Sequence, residues 1–364
     1  MVFMLSLVTH SSMVLIKSGL LFSLFLSFFN SRVLSFLLFL FLLLFMAIVL
    51  NSGLIVSHDS VVYYIPFFQV ETWREFEPGF TFINYIFRSA GLSAESFIYF
   101  IGTFSLFIFL TSIWKLTRSF PLFYLMLFLA FCTLSFNFLA TGLLRQYLAF
   151  SIILLGCSFF YFGKKVKFFL SLFVATTIHF SSCLYFFVIF VFKLRWVNKI
   201  LILIFAFLFS FFSKDVVLIL LNNIPYIDNN IYVKSLVRVL GYSDKNVVHE
   251  DYFFKYFFVF ISLLAVGMGK VFFSVSENGE KLINVLYSFS VCGFLVSSAC
   301  YFASEASIRV LYGVAILSTL SFAALLMNSN LKNRMVIVGL VCIPFFFYSF
   351  LSHNWIVGFV NRYV

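Results

Sequence analysis

Apolar runs of about 20 residues recur along this chain, separated by short clusters of lysine and arginine, and nothing else in it limits the possible folds as much. A helix of that length crosses ~30 Å of hydrocarbon. Lipid accepts only segments that satisfy their own backbone hydrogen bonds. The expected fold class is therefore all-α: a polytopic transmembrane helical bundle of roughly ten to twelve helices, with residues 1–364 forming a single integral membrane domain. With 63% hydrophobic and 10% charged residues, the chain lies far from the soluble average of roughly 45–50% apolar and about 25% charged.

The net charge of +11 would suit nucleic acid, but the basic residues lie between apolar runs and form no basic domain. Positive-inside topology accounts for them, and no nucleic-acid partner is expected. The six cysteines all fall inside apolar runs, with no CxxC pair and no His/Cys ligand spacing, so neither a disulfide framework nor a metal site is indicated. The first apolar stretch lacks a basic leader and a small-residue cleavage site and runs on past Lys17, which reads as a retained helix with uncertain ends.

Basic clusters mark the cytoplasmic side. Arg32, Lys115 with Arg118, Lys164/Lys165/Lys167, Lys193/Arg195/Lys199, Lys270 with Lys281, and Lys332 with Arg334 are assigned there. Helices are then expected near 33–50, 96–114, 120–137, 146–162, 200–213, 253–269, 282–302, 309–327 and 335–351. Two long periplasmic loops follow, 51–95 and 214–251. Between Lys167 and Lys193 the chain must go out and return, yet the arms 168–178 and 180–192 hold only 11 and 13 residues, short of a perpendicular span. A short or re-entrant helix pair meeting at His179 is expected, with one long tilted helix as the alternative; irregular backbone at depth is tolerated where it lines a cavity.

Four groups of polar residues could carry chemistry, because such residues in or near a bilayer are costly. The first is the outer stretch with Asp59, Tyr63 and Glu77-Pro78-Gly79-Phe80, followed by an amphipathic segment containing Asn84, Tyr85 and Arg88. Alternating aromatics and carboxylates suit a sugar; an ordinary interfacial loop is the alternative. The second is Arg145-Gln146 at the outer start of a helix, where a guanidinium fork matches phosphate, or pairs with Asp59 or Glu77. The third is His179, able to bind phosphate or move a proton, or simply hydrogen-bonded packing. The fourth is Glu305 with Arg309 and Tyr312. Glu305 and Arg309 can pair on one helix face, whereas Arg309 beside Arg145 would complete a cationic pocket for a diphosphate.

No Walker loop, GxSxG elbow, HExxH or DxD pair in an aqueous domain is present. The order Asp59, Tyr63, Glu77-Pro78-Gly79-Phe80, Arg145-Gln146, Lys164-Lys165, His179-x-Ser181, Arg309 and Tyr312 resembles the EpsG/Wzy-type polysaccharide polymerase family, over roughly residues 30 to 330. That resemblance implies a GT-C-like membrane glycosyltransferase of the bacterial inner membrane. It would join undecaprenyl-pyrophosphate-linked oligosaccharide repeats, as donor and acceptor, into O-antigen, capsule or exopolysaccharide at the periplasmic face. It implies no cofactor and no metal, and as partners membrane lipid, a chain-length regulator and a flippase. Arg145 and Arg309 would hold the donor pyrophosphate. His179 and Asp59 are the preferred candidates to take the acceptor proton, with Glu77 and Glu305 also open, and Tyr63, Glu77, Asn84, Gln146, Glu305 and Tyr312 would contact substrate. An O-antigen ligase using the same donor, a lipid-linked oligosaccharide flippase or transporter, and a membrane O-acyltransferase are the competing readings.

Overall fold

The computed structural model describes residues 15–25, 27, 32–56, 77–213, 250–301 and 304–329. Helices account for nearly all of them: α1 (Leu15–Phe25), α2 (Arg32–Val56), α3 (Pro78–Ser89), α4 (Ala94–Thr117), α5 (Phe120–Cys132), α6 (Leu134–Gly142), α7 (Leu144–Tyr161), α8 (Lys165–Ile178), a 3-10 helix (Phe180–Phe187), α9 (Val188–Lys193), α10 (Trp196–Ser210), α11 (Glu250–Phe272), α12 (Glu277–Ala299) and α13 (Ser304–Asn328). Five of these, among the described residues, are long and apolar enough to cross a bilayer. The expected helix at 335–351, most of the stretch 214–251, and Lys332 with Arg334 lie outside the described residues.

Helices in lipid gain nothing from hydrophobic attraction to one another, so small side chains and shared hydrogen bonds hold them together. The α12–α13 hairpin, the most extensive contact among the described residues, uses both. Ser307 Oγ donates to Ser297 O at 2.6 Å, and the Ser297 hydroxyl meets Ser307 Oγ at 2.7 Å, with Ser307 O its longer alternative acceptor at 3.2 Å. Tyr256 of α11 reaches Ser298 at 2.6 Å, and Ser262 reaches Ser318 at 2.7 Å. Several serines with no cross-helix partner bond the preceding turn, as Ser105 does to Ile101 O and Ser151 to Tyr147 O. Lys199, expected in a cytoplasmic loop, is instead fully buried in the first turn of α10. Its ammonium donates to Asn284 and to Ser288 (2.9 Å) and lies over the Trp196 ring at 5.0 Å.

Two breaks position the site. The single helix expected over 120–137 divides at Thr133, whose extended backbone ends α5. Its hydroxyl donates to Ala130 O at 2.6 Å and accepts from Phe136 N at 3.2 Å, so one side chain closes one helix and caps the next. The second break is at His179, where φ −151° and ψ 113° interrupt the helix. The returning arm is a 3-10 helix followed by one short α turn, as the spacing of basic residues requires; a single long helix is excluded. The 3-10 segment is seated against α12 at Gly293, where a Cβ would meet Tyr185 Oη and Val314 Cγ2 at 2.7 Å. Cys292 Sγ donates to Leu184 O at 3.1 Å.

Gly293→Ala is therefore expected to destabilise the purified protein by about 1–3 kcal/mol through overpacking, read as a lower melting temperature in detergent. Gly142→Ala, which meets nothing within 4 Å, is expected to stay within about 0.5 kcal/mol of wild type.

Candidate functional site

The site is built where three helix ends meet. Glu77 is the N-cap of α3, and Pro78 at the first helical position supplies the fixed φ that a helix start accepts without losing a needed N–H. Glu77 O accepts from both the Thr81 backbone N–H and the Thr81 hydroxyl, each at 3.1 Å. Gly79 follows because α3 docks against the last turn of α8: an added Cβ would overlap Thr177 Oγ1 and lie 2.8 Å from Thr177 Cβ. Phe80 anchors the helix from below, 1% exposed, with its ring edge-on to Phe97 at 5.6 Å. Each residue of the Glu-Pro-Gly-Phe run thus has a separate mechanical reason.

This docking carries the Glu77 carboxylate to Arg145 and His179. Oε2 accepts from Arg145 Nη1 at 2.6 Å, while Oε1 faces His179 Nδ1 at 3.1 Å and accepts from the Phe180 backbone N–H at 3.3 Å. Arg145 sits in the first turn of α7, and its guanidinium lies 5.8 Å from the Phe80 ring centre. Glu77, Arg145 and His179 have side-chain exposures of 20, 19 and 22%, so the cluster is sheltered but open to a ligand. Burial pushes the Glu77 carboxyl up, but the hydrogen bond from His179 and the charges of Arg145 and His179 outweigh it and bring the value down to about 2. Ionised at neutral pH, Glu77 can only accept. His179 Nδ1 must then carry the proton that lies between them, and Nε2 is the ring nitrogen pointing elsewhere.

Gln146, adjacent to Arg145, is 8% exposed, and its Oε1 has no hydrogen-bond partner among the described residues. A buried acceptor in that state is unfavourable unless a donor arrives. Asn84 is half-buried two turns along α3. Arg309 and Tyr312 stand near the start of α13, at the same end of the bundle as Arg145. Tyr312 stacks on Phe138 of α6 at 5.7 Å, which ties that end of α13 to the helix leading into Arg145. Glu305 is in the first turn of α13, and its side chain is not among the described atoms; Asp59 and Tyr63 lie outside the described residues.

From the sequence, Glu77 reads as a sugar contact or a base, and separately as a partner for Arg145, the pairing that the structure contains. Its contact with His179, 102 residues away, has no local sequence signal. The buried acceptor of Gln146 was equally invisible.

Fold and site together define a multi-pass, all-α membrane protein with a carboxylate, an imidazole and a guanidinium gathered at the end opposite most of the basic clusters. The EpsG family profile matches residues 34–361, and the chain belongs to the EpsG family. Membership points to a polysaccharide polymerase-type role, glycosyltransferase-like and acting on lipid-linked oligosaccharide. No curated protein and no solved structure matches the chain.

A group whose carboxyl is held below its ordinary value stabilises the fold above that ordinary value, and the contribution is lost as pH falls toward the folded value. Melting temperature is therefore expected to fall between about pH 4.5 and about pH 2 in part through Glu77. In Glu77→Gln that part of the slope should be missing and the neutral-pH melting temperature lower, measured by thermal scans across pH.

Proposed function

We propose that this protein polymerises undecaprenyl-pyrophosphate-linked oligosaccharide repeats into O-antigen, capsule or exopolysaccharide at the periplasmic face of the bacterial inner membrane. The observation that carries the reading is the carboxylate-held imidazole beside an arginine, set at a backbone break on the end of the bundle away from most of the basic clusters. Positive-inside topology puts that end outside the cytoplasm. Family membership supports the substrate class.

In this reading a hydroxyl of the acceptor repeat attacks the anomeric carbon of the donor chain. The anomeric C–O bond to pyrophosphate breaks, and polyprenyl pyrophosphate departs with the electron pair. His179 Nε2 takes the hydroxyl proton. Glu77 holds Nδ1–H, which fixes the tautomer and offsets the charge that the ring acquires, so its role is positioning and not sugar binding. Arg145 and Arg309 supply positive charge for the leaving pyrophosphate, Arg145 from a position already fixed by Glu77. Gln146 Oε1, buried and lacking a donor, accepts a hydroxyl from the sugar. Asp59 remains proposed as the second candidate base, and Tyr63, Asn84, Glu305 and Tyr312 for substrate contact, on the resemblance of their positions. A chain-length regulator and a flippase supplying substrate are the proposed partners, and the chemistry needs no cofactor.

Returned to a deletion strain, His179→Ala is expected to lower polymerisation by about 10²–10⁴-fold, the range for loss of a general base. Glu77→Gln should also impair it, since an amide can donate to Nδ1 and present the wrong tautomer. Arg145→Ala and Arg309→Ala should shorten the polymer, and Arg145→Lys should rescue it poorly because an ammonium lacks the fork. The readout is the surface-polysaccharide ladder on a gel. Collapse to a single repeat, restored by wild type alone, is the expected result; an unchanged ladder in Arg145→Ala would remove this mechanism, and core carrying no repeat would point to the ligase or flippase reading.

A further inference from the structure

The opposite end of the bundle holds a second arrangement that the polymerase chemistry does not use. The last turn of α7 and its cap present three rings, and cations from three other segments stand over them. Lys115 of α4 and Lys167 of α8 share one ring, Phe159, at 5.0 and 5.9 Å. Arg118 lies over Phe162 at 4.4 Å and Lys281 of α12 over Tyr161 at 5.3 Å. Among the described residues none of the four pairs with a carboxylate, and Glu280, beside Lys281, is engaged by Lys270 at 3.3 Å. Ring faces and the carbonyl end of α7 moderate the repulsion between the cations but do not neutralise them.

Two further observations set this apart from an ordinary cytoplasmic cluster. Arg118 caps α4 in the left-handed region at φ 47°, a conformation that disfavours an L residue and suits glycine. Here an arginine occupies it, with its guanidinium over a ring. The cations also finish lipid-facing stripes. Phe104 and Phe107 lie on the Lys115 side of α4 and are 43 and 58% exposed, and Leu170, one turn from Lys167 on α8, is 61% exposed. Hydrocarbon surface leads directly into positive charge on both helices.

We propose that this ring of cations binds the phosphate headgroup of an anionic glycerophospholipid of the facing leaflet, with the acyl chains along the α4 and α8 stripes. The four cations come from three separate parts of the sequence, Lys115 with Arg118, Lys167, and Lys281, and these converge only in the folded bundle, so the site is specific and not a diffuse field. It does not depend on the polymerase reading.

The test uses the purified full-length chain in neutral detergent, with phosphatidylglycerol and phosphatidylcholine as probes, followed by native mass spectrometry and by melting temperature. Wild type is expected to retain phosphatidylglycerol over phosphatidylcholine and to melt higher with it. At about fivefold per cation, the Lys115→Gln/Lys167→Gln pair should lose about 25-fold of that preference while melting normally in phosphatidylcholine. Lys164→Gln/Lys165→Gln, which removes two exposed neighbours that lie over no ring in the described contacts, should lose much less. Equal loss in both pairs would overturn the specific site. So would equal retention in wild type and Lys115→Gln/Lys167→Gln, the outcome expected if an acidic protein and not lipid used this face. Displacement of the lipid by millimolar inorganic phosphate would overturn the role of the acyl chains.

Discussion

A bilayer supplies neither hydrogen bonds nor hydrophobic attraction between helices, and the helix breaks at Thr133 and His179 are arranged around that constraint. Several serine hydroxyls that meet no other helix turn back to their own, as Ser112 does to Ile108 O. Those at the α11, α12 and α13 contacts join hydroxyls across the interface. Where the backbone breaks, named groups satisfy it: the Thr133 hydroxyl at the first break, and the Glu77 carboxylate, accepting from Phe180 N–H, at the second. The second solution brings a charge with it. A carboxylate used for that purpose needs its own partners, and Arg145 and His179 provide them.

The same constraint divides the molecule electrostatically. Most of the basic clusters gather at one end of the bundle, where α7 ends and α8 begins, while the other end holds one sheltered carboxylate shared between a guanidinium and an imidazole. Chemistry with a diphosphate leaving group needs fixed positive charge and a proton acceptor in a place water reaches only in part. Glu77, Arg145 and His179, each about one-fifth exposed, are the residues on which the proposed chemistry draws. At the other end, cations stand over ring faces that moderate their mutual repulsion without neutralising them.

Much of the architecture could be read before any coordinates. Apolar run length and basic punctuation placed α2, α4, α7, α10, α11, α12 and α13 with ends at most six residues from those observed, because span length is set by hydrocarbon thickness and not by tertiary detail. The break at His179 was legible for the same reason: 25 residues between two basic ends cannot hold two full spans. The break at Thr133 was not, since threonine in an apolar run looks like any other helix residue until its hydroxyl finds two backbone partners. Lys199 read as a loop cation for want of any sign that Asn284 and Ser288 wait across the interface, 85 and 89 residues on.

For the site, the residue types and their order were evident, and EpsG membership agrees with the class they suggested. What the chain by itself determined is a multi-pass helical protein whose costly polar residues collect at helix ends, because desolvation permits them nowhere else without a partner. Which of those residues meet was decided only in three dimensions. Glycine at position 79 lets α3 close on Thr177, that closure carries Glu77 to Arg145 and His179, and such a contact depends on helix packing that no local pattern encodes.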